Sequence, residues 1–544
     1  MLRVLPQEQM WKKRTGSKYI DFLKTKGQNF VINQFLNFVS TSSKKNLIML
    51  TKMFEKIAHS EGGVRHARRM RWLFETDHAH LHWWQKIIDT LDPNCRNKFL
   101  ANFFLHGYYG DNLRKRAQYF DKHGFYPPTV LLASITEKCN FNCVGCWASE
   151  YDQSKVRDLP IEEWDRILGE ARDEHGIHIL PIVGGEPFCR MEFFELAKKY
   201  DDCIFLVFTN GSLLTDKNIE KLRQLGNVAP MLSLAGWEKS TDAIRGEGCF
   251  KMLSEKMDKL TKAGIFWGAS LTATRQNSEE VVSDKFMKWL SDKGSLWTWV
   301  FHYVPVGNSP NPELIPDAKQ REYIKQNVYN ARNTLPMMTV DFWGDGPEMM
   351  GCIAGGRQYI HINAAGDVEP CTFVHLATHN IKDCTITDAL KSPFFQAIRK
   401  GAPYDGNMMR PCMIVDRPWV LRGYYKKFKP YPTHPGADDY LVKPELTEAI
   451  DKYSHDVAKI MDENWVKDYF MTLFPLPGEW YHDRVVLCST KKPHGDKHGG
   501  CEELEGGCQC GKDLTALEKL SADPVDEGDV ESTEDIEEME LSKV

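Results

Sequence analysis

Long apolar runs are missing from this chain. None of its 544 residues belongs to a stretch approaching the roughly 18–20 apolar residues needed to span a bilayer, which excludes a membrane bundle. A secretory leader is not evident either: MLRVLPQEQMWKKRTG has charges where such a signal needs an apolar stretch, so the expected location is cytoplasmic. There is no long-period repeat. Fifteen cysteines are too few to staple a chain of this length, and their odd number argues for thiols in a reducing compartment. With 42% hydrophobic and 26% charged residues, collagen-like and wholly disordered readings fall away. The length points to more than one domain.

The net charge of −6 hides an asymmetry. Residues 1–130 carry 22 Lys/Arg against 10 Asp/Glu, whereas residues 513–544 carry 2 against 12. A basic head suits an anionic surface or acidic partner, and an acidic tail is usually solvated. No nucleic-acid partner is expected.

Residues 1–125 read as helical, with apolar positions three and four apart in FVINQFLNFV, NLIMLTKMFEKIAH and HLHWWQKIIDTLD. Pro127-Pro128 stops any helix and opens TVLLASI, a buried-strand signal. Further strand candidates are 177–183, 203–209, 228–234, 265–271 and 297–304, alternating with patterns such as IEEWDRILGEARDE and DKNIEKLRQL. Six βα units over 126–335 imply an α/β fold, a partial (β/α)6 barrel of the TIM type, with chemistry expected at the C-terminal ends of the strands. Residues 336–430 are rich in Gly, Pro and Cys, 431–487 are helical, and 488–544 form a Cys/His-rich stretch and acidic tail.

The strongest chemical signal is Cys139-x3-Cys143-x2-Cys146, directly after TVLLASI. Three thiolates at this spacing can hold three irons of a cubane and leave the fourth open for a ligand. The residues alone also allow a structural zinc site, which usually takes four ligands, or three unrelated thiols.

The spacing resembles the radical S-adenosylmethionine (SAM) superfamily, whose CxxxCxxC follows the first barrel strand. Gly184-Gly185-Glu186-Pro187 follows the second strand, as the family's GGEP loop does, where it meets the SAM amino group. Thr209-Asn210-Gly211 follows the third, and Ser233-Leu234-Ala235-Gly236, continuing to Arg245, follows the fourth. The resemblance implies that Ser233 contacts the SAM ribose or carboxylate and Arg245 the carboxylate. Ser270 and the segment Tyr303–Gly307 with Val304 then match regions lining ribose and adenine. Relatives commonly carry Asp where this chain has Ala235, so that carboxylate's role is absent. The resemblance covers 129–334 and implies reductive SAM cleavage to a 5′-deoxyadenosyl radical, with a flavodoxin or ferredoxin as reductant.

Cys352 and Cys371 frame QYIHINAAGDVEPC, which reads as a hairpin turning at Gly366. This resembles the opening of the SPASM/twitch extension, in which a hairpin gives thiolates to an auxiliary [4Fe–4S] cluster. The CxxCxxxxxCxxxC continuation of a full SPASM domain is absent. The implied ligands are Cys352, Cys371 and Cys412, with Cys384, a non-cysteine side chain or substrate as the fourth; a hairpin that binds nothing is the alternative. Whether such a cluster relays electrons or ligates substrate is left open.

Asp341 and Asp345 are weak acid–base candidates, since loop aspartates usually cap turns. Cys488, Cys501, Cys508 and Cys510, with His494 and His498, match no defined zinc spacing. Three functions remain. The first is a radical SAM oxidoreductase or transferase acting on a peptide or protein side chain, weakened by the lack of a strand pair for a winged-helix module in 1–125. The second is the same chemistry on a membrane lipid or isoprenoid, with peripheral membrane contact through the basic N-terminal region. The third is a non-catalytic iron–sulfur sensor or electron-transfer protein.

Overall fold

Parallel strands built from continuous apolar runs must be covered on both faces. That is what the computed structural model of the chain shows; it describes residues 43–57, 61–109, 111–148, 157–307, 310–404 and 406–472. Nine strands form one sheet: β1 Val130–Ser134, β2 Ile179–Val183, β3 Ile204–Thr209, β4 Val228–Leu234, β5 Gly268–Ala273, β6 Trp297–His302, β7 Met338–Asp341, β8 Tyr359–Ile362 and β9 Val368–Glu369. Their order is β7-β6-β5-β4-β3-β2-β1-β8-β9, with every neighbour parallel except the hairpin β8–β9. The fold is α/β with the six expected βα strands of a partial TIM-type barrel.

The outer face is clad by amphipathic helices. Helix Ile161–Asp173 starts after Pro160 and buries Trp164, Ile167, Leu168 and Ala171, one stripe at helical spacing, against Leu131, Ala133, Leu180 and Ile182. Helix Asp216–Leu225 is capped by Thr215 and closed by Gly226 in the left-handed conformation.

Two differences from the sequence reading concern the ends of the barrel. β5 begins at Gly268 rather than Ile265, because the turn at Gly264 (φ +66°) accepts from the Asp92 N–H at 2.8 Å and residues 265–267 carry the chain back into the sheet. β7 and β8, which the pattern placed beyond the barrel, join its sheet: β7 pairs with β6 and β8 pairs with β1. Short strands beside cysteines and glycines give no alternation long enough to reveal their partners.

The helical region 44–123 closes the lower end of the barrel. Leu81, Trp83, Trp84, Ile87, Phe99 and Phe103 pack with the inward residues Ile179, Ile204, Leu206, Ala229 and Met231. Trp83 Nε1 donates to Leu296 O (2.7 Å), Asn102 Nδ2 to Cys203 O (2.8 Å) and Asn94 Nδ2 to Gln224 O (2.8 Å). These carbonyls lie just before β6, β3 and β4. The helices therefore sit at the end opposite the loop that carries Cys139, Cys143 and Cys146. Among the described residues no helix is long and apolar enough to cross a membrane.

Candidate active site

In a parallel sheet, side chains paired across strands share a face. Leu132, on the inner face, pairs with His361; Ser233 pairs with Ser270, Ser270 with Trp299 and Thr272 with Phe301. These residues line the upper barrel with Phe208, and Phe208, Trp299 and Phe301 are only partly buried, rings 6.0–6.3 Å apart. The wall is mostly aromatic, and among the described residues the Trp299 indole N–H has no hydrogen-bond partner.

The loop after β1 carries Cys139, Cys143 and Cys146, all half-buried. Backbone N–H groups of Asn140 and Phe141 reach the Cys139 sulfur and that of Ala148 the Cys146 sulfur. Burial pushes the Cys139 thiol up and that of Cys146 to about 11. Arg245 places Nη1 4.0 Å from Cys143 Sγ, and its buried Nε finds no acceptor among the described residues. Val144 N–H donates to Ile244 O (3.0 Å), tying the two loops. Three sulfurs with amide donors, beside an unsatisfied guanidinium N–H, fit an iron–sulfur centre with a carboxylate ligand next to it.

The glycines of GGEP have a nearer task than receiving a ligand. Gly185 N–H donates to Thr136 O (2.9 Å) and Glu186 N–H to Lys138 O (2.7 Å), and a Cβ on Gly184 or Gly185 would run into those carbonyls. The loop is thus zipped backbone to backbone onto the strand leading to Cys139. Pro187 is buried at the start of a single 3₁₀ turn. The Glu186 carboxylate is fully buried and accepts from Thr209 Oγ1 (2.8 Å), Asn210 N–H (2.7 Å) and Phe188 N–H (3.1 Å). Burial raises its pKa against those donors. It clasps β2 to β3, and Asn210 Nδ2 in turn donates to Asn140 Oδ1 (2.9 Å) inside the cysteine loop. Ser233 and Ser270 stand side by side on the inner wall, whereas Val304 is buried. Gly307 (φ +83°) lies against Cys146 and Trp147, so Tyr303–Gly307 lies on the same loop.

Cys352, Cys371 and Cys412 come together in the extension: Cys352 is an electrostatic neighbour of both others. Phe373 N–H points at Cys371 Sγ (3.5 Å) and Ile414 N–H at Cys412 Sγ (3.4 Å). Tyr359 OH donates to Cys371 Sγ at 2.7 Å. Burial pushes the Cys371 thiol up to about 12 and raises Cys352 and Cys412. Amide and phenol donors aimed at three thiols, Cys371 buried and Cys352 and Cys412 half-buried, fit an iron–sulfur centre. Cys384 is not among them. It donates to Asn380 O (3.2 Å) and has Asp388, Glu170 and Asp383 for neighbours.

Asp341 and Asp345 are both engaged in the structure. Burial works against the Asp341 charge, but His302, 3.2 Å away, and the N–H groups of Gly344 and Trp343 hold its pKa low. Arg332 grips both oxygens of Asp345 (2.7 and 2.6 Å), whose burial still pushes it up to about 6. Cys488, Cys501, Cys508, Cys510, His494 and His498 lie outside the described residues.

The sequence reading missed a buried chain on the inner wall. His361 contacts Ser134 Oγ through Nε2 (2.7 Å) and Glu369 Oε2 through Nδ1 (2.7 Å), and Thr433 Oγ1 donates to Glu369 (2.7 Å). Trp147, next to Cys146, sets its ring 6.1 Å from His361 and 6.3 Å from Phe373. Two-residue alternation through Tyr359 and His361, opposite Glu369 and Cys371, is the signal that could have found it.

Comparison with known proteins agrees with this geometry. Residues 133–284 match the radical SAM superfamily and residues 352–413 the SPASM iron–sulfur cluster-binding domain. The chain is 26% identical over 283 residues to the AdoMet-dependent heme synthase of Methanosarcina barkeri, covering 47% of this chain and 80% of that one. It is 27% identical over 314 residues to the PqqA peptide cyclase of Granulibacter bethesdensis (54% and 80%) and 25% identical over 278 residues to the sporulation killing factor maturation protein SkfB of Bacillus subtilis (48% and 65%). Streptococcus suis SuiB bound to S-adenosylmethionine superposes with a TM-score of 0.46 at 17% identity, over 66% of this chain and 87% of that one. The names of these relatives, a synthase, a cyclase and a maturation protein, are names of enzymes. The first match begins inside β1 and runs through the cysteine trio and the second spans Cys352, Cys371 and Cys412, so the chain carries a radical SAM domain and a SPASM cluster-binding domain, which imply SAM and [4Fe–4S] clusters.

Proposed function

We propose that the chain is a SAM-cleaving enzyme that abstracts hydrogen from a peptide or protein side chain held in the upper barrel. The observation that carries it is the half-buried trio Cys139, Cys143 and Cys146 beside the unpartnered Arg245 Nε, at the C-terminal mouth of the strands. When bound there, a reduced [4Fe–4S] cluster and SAM supply a 5′-deoxyadenosyl radical. The residues do the rest. Arg245 receives the SAM carboxylate, while Ser233 and Ser270 offer hydroxyls at the level of its ribose. Gly184, Gly185 and Glu186 act by fixing the cysteine loop, with Thr209 and Asn210 as the partners of Glu186. Phe208, Trp299 and Phe301 exclude water and admit an apolar group. Cys352, Cys371 and Cys412 hold the auxiliary cluster.

The names of two relatives, a peptide cyclase and a killing-factor maturation protein, support a peptide. So does the Trp299 N–H, which suits a carbonyl oxygen. The aromatic wall also favours a second reading, an apolar lipid or isoprenoid chain. A one-electron donor such as flavodoxin or ferredoxin completes the system. Anaerobically reconstituted protein with dithionite and SAM should release 5′-deoxyadenosine, and no release from protein with intact clusters overturns the proposal. Deuterium transfer into 5′-deoxyadenosine from labelled peptide or labelled lipid decides the substrate class.

A further inference from the structure

The three thiols of the extension, Cys371 buried and Cys352 and Cys412 half-buried, have tyrosines from three separate segments as neighbours. Tyr359, on β8, donates to Cys371 Sγ at 2.7 Å. Tyr404 brings its hydroxyl within hydrogen-bonding reach of the Cys352 thiol. Its oxygen is shut off from solvent and finds no well-directed acceptor. Tyr440, on the short helix Asp439–Val442, is 4% exposed and has Cys371 and Cys412 as neighbours. Among the described residues its hydroxyl is likewise buried without a partner. A buried hydroxyl left unsatisfied costs about 1–3 kcal/mol. The Tyr440 hydroxyl, with Cys371 and Cys412 as neighbours, and the Tyr404 hydroxyl, beside Cys352, leave donor capacity for an acceptor larger than the thiols themselves. Tyr440 also lies beyond residues 352–413, outside the match to the cluster-binding domain.

We infer that Tyr359, Tyr404 and Tyr440 form a cage of hydroxyl donors to the cysteine and sulfide sulfurs of the auxiliary cluster, and that the cage raises its reduction potential. A phenol is neutral near pH 7 and keeps its proton to donate. Reduction adds negative charge to the sulfurs, so a donor aimed at them stabilises the reduced form more than the oxidised one, and burial strengthens the effect. The tyrosines touch no reacting atom and act through the cluster.

This inference rests on Cys352, Cys371 and Cys412 holding the auxiliary cluster. The measurement uses full-length protein with Cys139, Cys143 and Cys146 all changed to Ala, so that the auxiliary signal stands alone. Midpoints are read by electron paramagnetic resonance for Tyr359→Phe, Tyr404→Phe, Tyr440→Phe and the triple variant, at verified iron and sulfide content. Each single change should lower the midpoint. The triple change should move the oxidised-to-reduced ratio at the parental midpoint about tenfold towards oxidised, or ~59 mV for one electron. Unchanged or raised midpoints overturn the cage. So does a tyrosinate-to-iron charge-transfer band that disappears in one Phe variant, which makes that tyrosine a ligand. Loss of the cluster from all three single variants also overturns it. An auxiliary signal surviving Cys352→Ala, Cys371→Ala and Cys412→Ala together instead defeats the ligand assignment beneath it.

Discussion

The two cysteine sites are made of the same three thiols and differ in almost everything around them. Cys139, Cys143 and Cys146 sit half-buried on one loop, within eight consecutive residues, and neighbouring loops hold that loop from outside. Cys352, Cys371 and Cys412 come from segments up to 60 residues apart and are enclosed by tyrosines. Spacing alone organises the first. Packing must assemble the second.

That contrast can be broken in several ways. The largest effect is expected from Cys143→Ala, which should lower 5′-deoxyadenosine release at least about a hundredfold. Cys371→Ala should remove the auxiliary resonance yet keep SAM cleavage within about tenfold of the parent. Equal loss in both variants would show that the sites do not work separately. Arg245→Gln should weaken SAM binding about tenfold to a hundredfold, the worth of one charge-assisted hydrogen bond, as read by equilibrium dialysis. Gly185→Ala puts a methyl group against the Lys138 carbonyl and should destabilise the cysteine loop by about 1–3 kcal/mol, seen as reduced iron content at the first site with the auxiliary signal intact.

The smallest effect concerns the anchoring of the extension. His175 is fully buried; it contacts Glu170 O through Nδ1 (3.2 Å) and Thr387 Oγ1 through Nε2 (2.9 Å), joining a barrel helix to the extension. Burial lowers its pKa from the ordinary 6.5 to about 4. The unfolded chain therefore takes up a proton below pH 6.5 that the folded chain refuses. This contribution is complete above pH 6.5 and is lost as pH falls towards 4. Between pH 7 and 5 it amounts to about 2 kcal/mol. Comparing unfolding midpoints at both pH values, the acid loss should be smaller in His175→Gln by that amount.

The strands and the first cysteine trio were legible because both signals are local. A run such as VAPMLSL has no face to spare for water, and three thiols within eight residues must share a loop. The GGEP motif was legible as a motif, but its contacts within the fold were not. Its glycines answer to the carbonyls of Thr136 and Lys138, and Glu186 to Thr209 and Asn210, contacts across 23 and 24 residues for the carboxylate. Asp341 and Asp345 stood out as loop carboxylates, and their bonds to His302 and Arg332 were invisible without the packing.

By itself the sequence determined the alternating βα order, the loop that carries three thiols and the resemblance that gives them a purpose, because periodicity and spacing act within a few residues. Only the tertiary structure decided that the N-terminal helices stop the lower end of the barrel, that β8 pairs with β1, and that Ser134, His361 and Glu369 join hands beside Trp147. Those contacts link residues tens to hundreds of positions apart, and they form only once burial of the whole inner wall offsets the entropy of closing such loops.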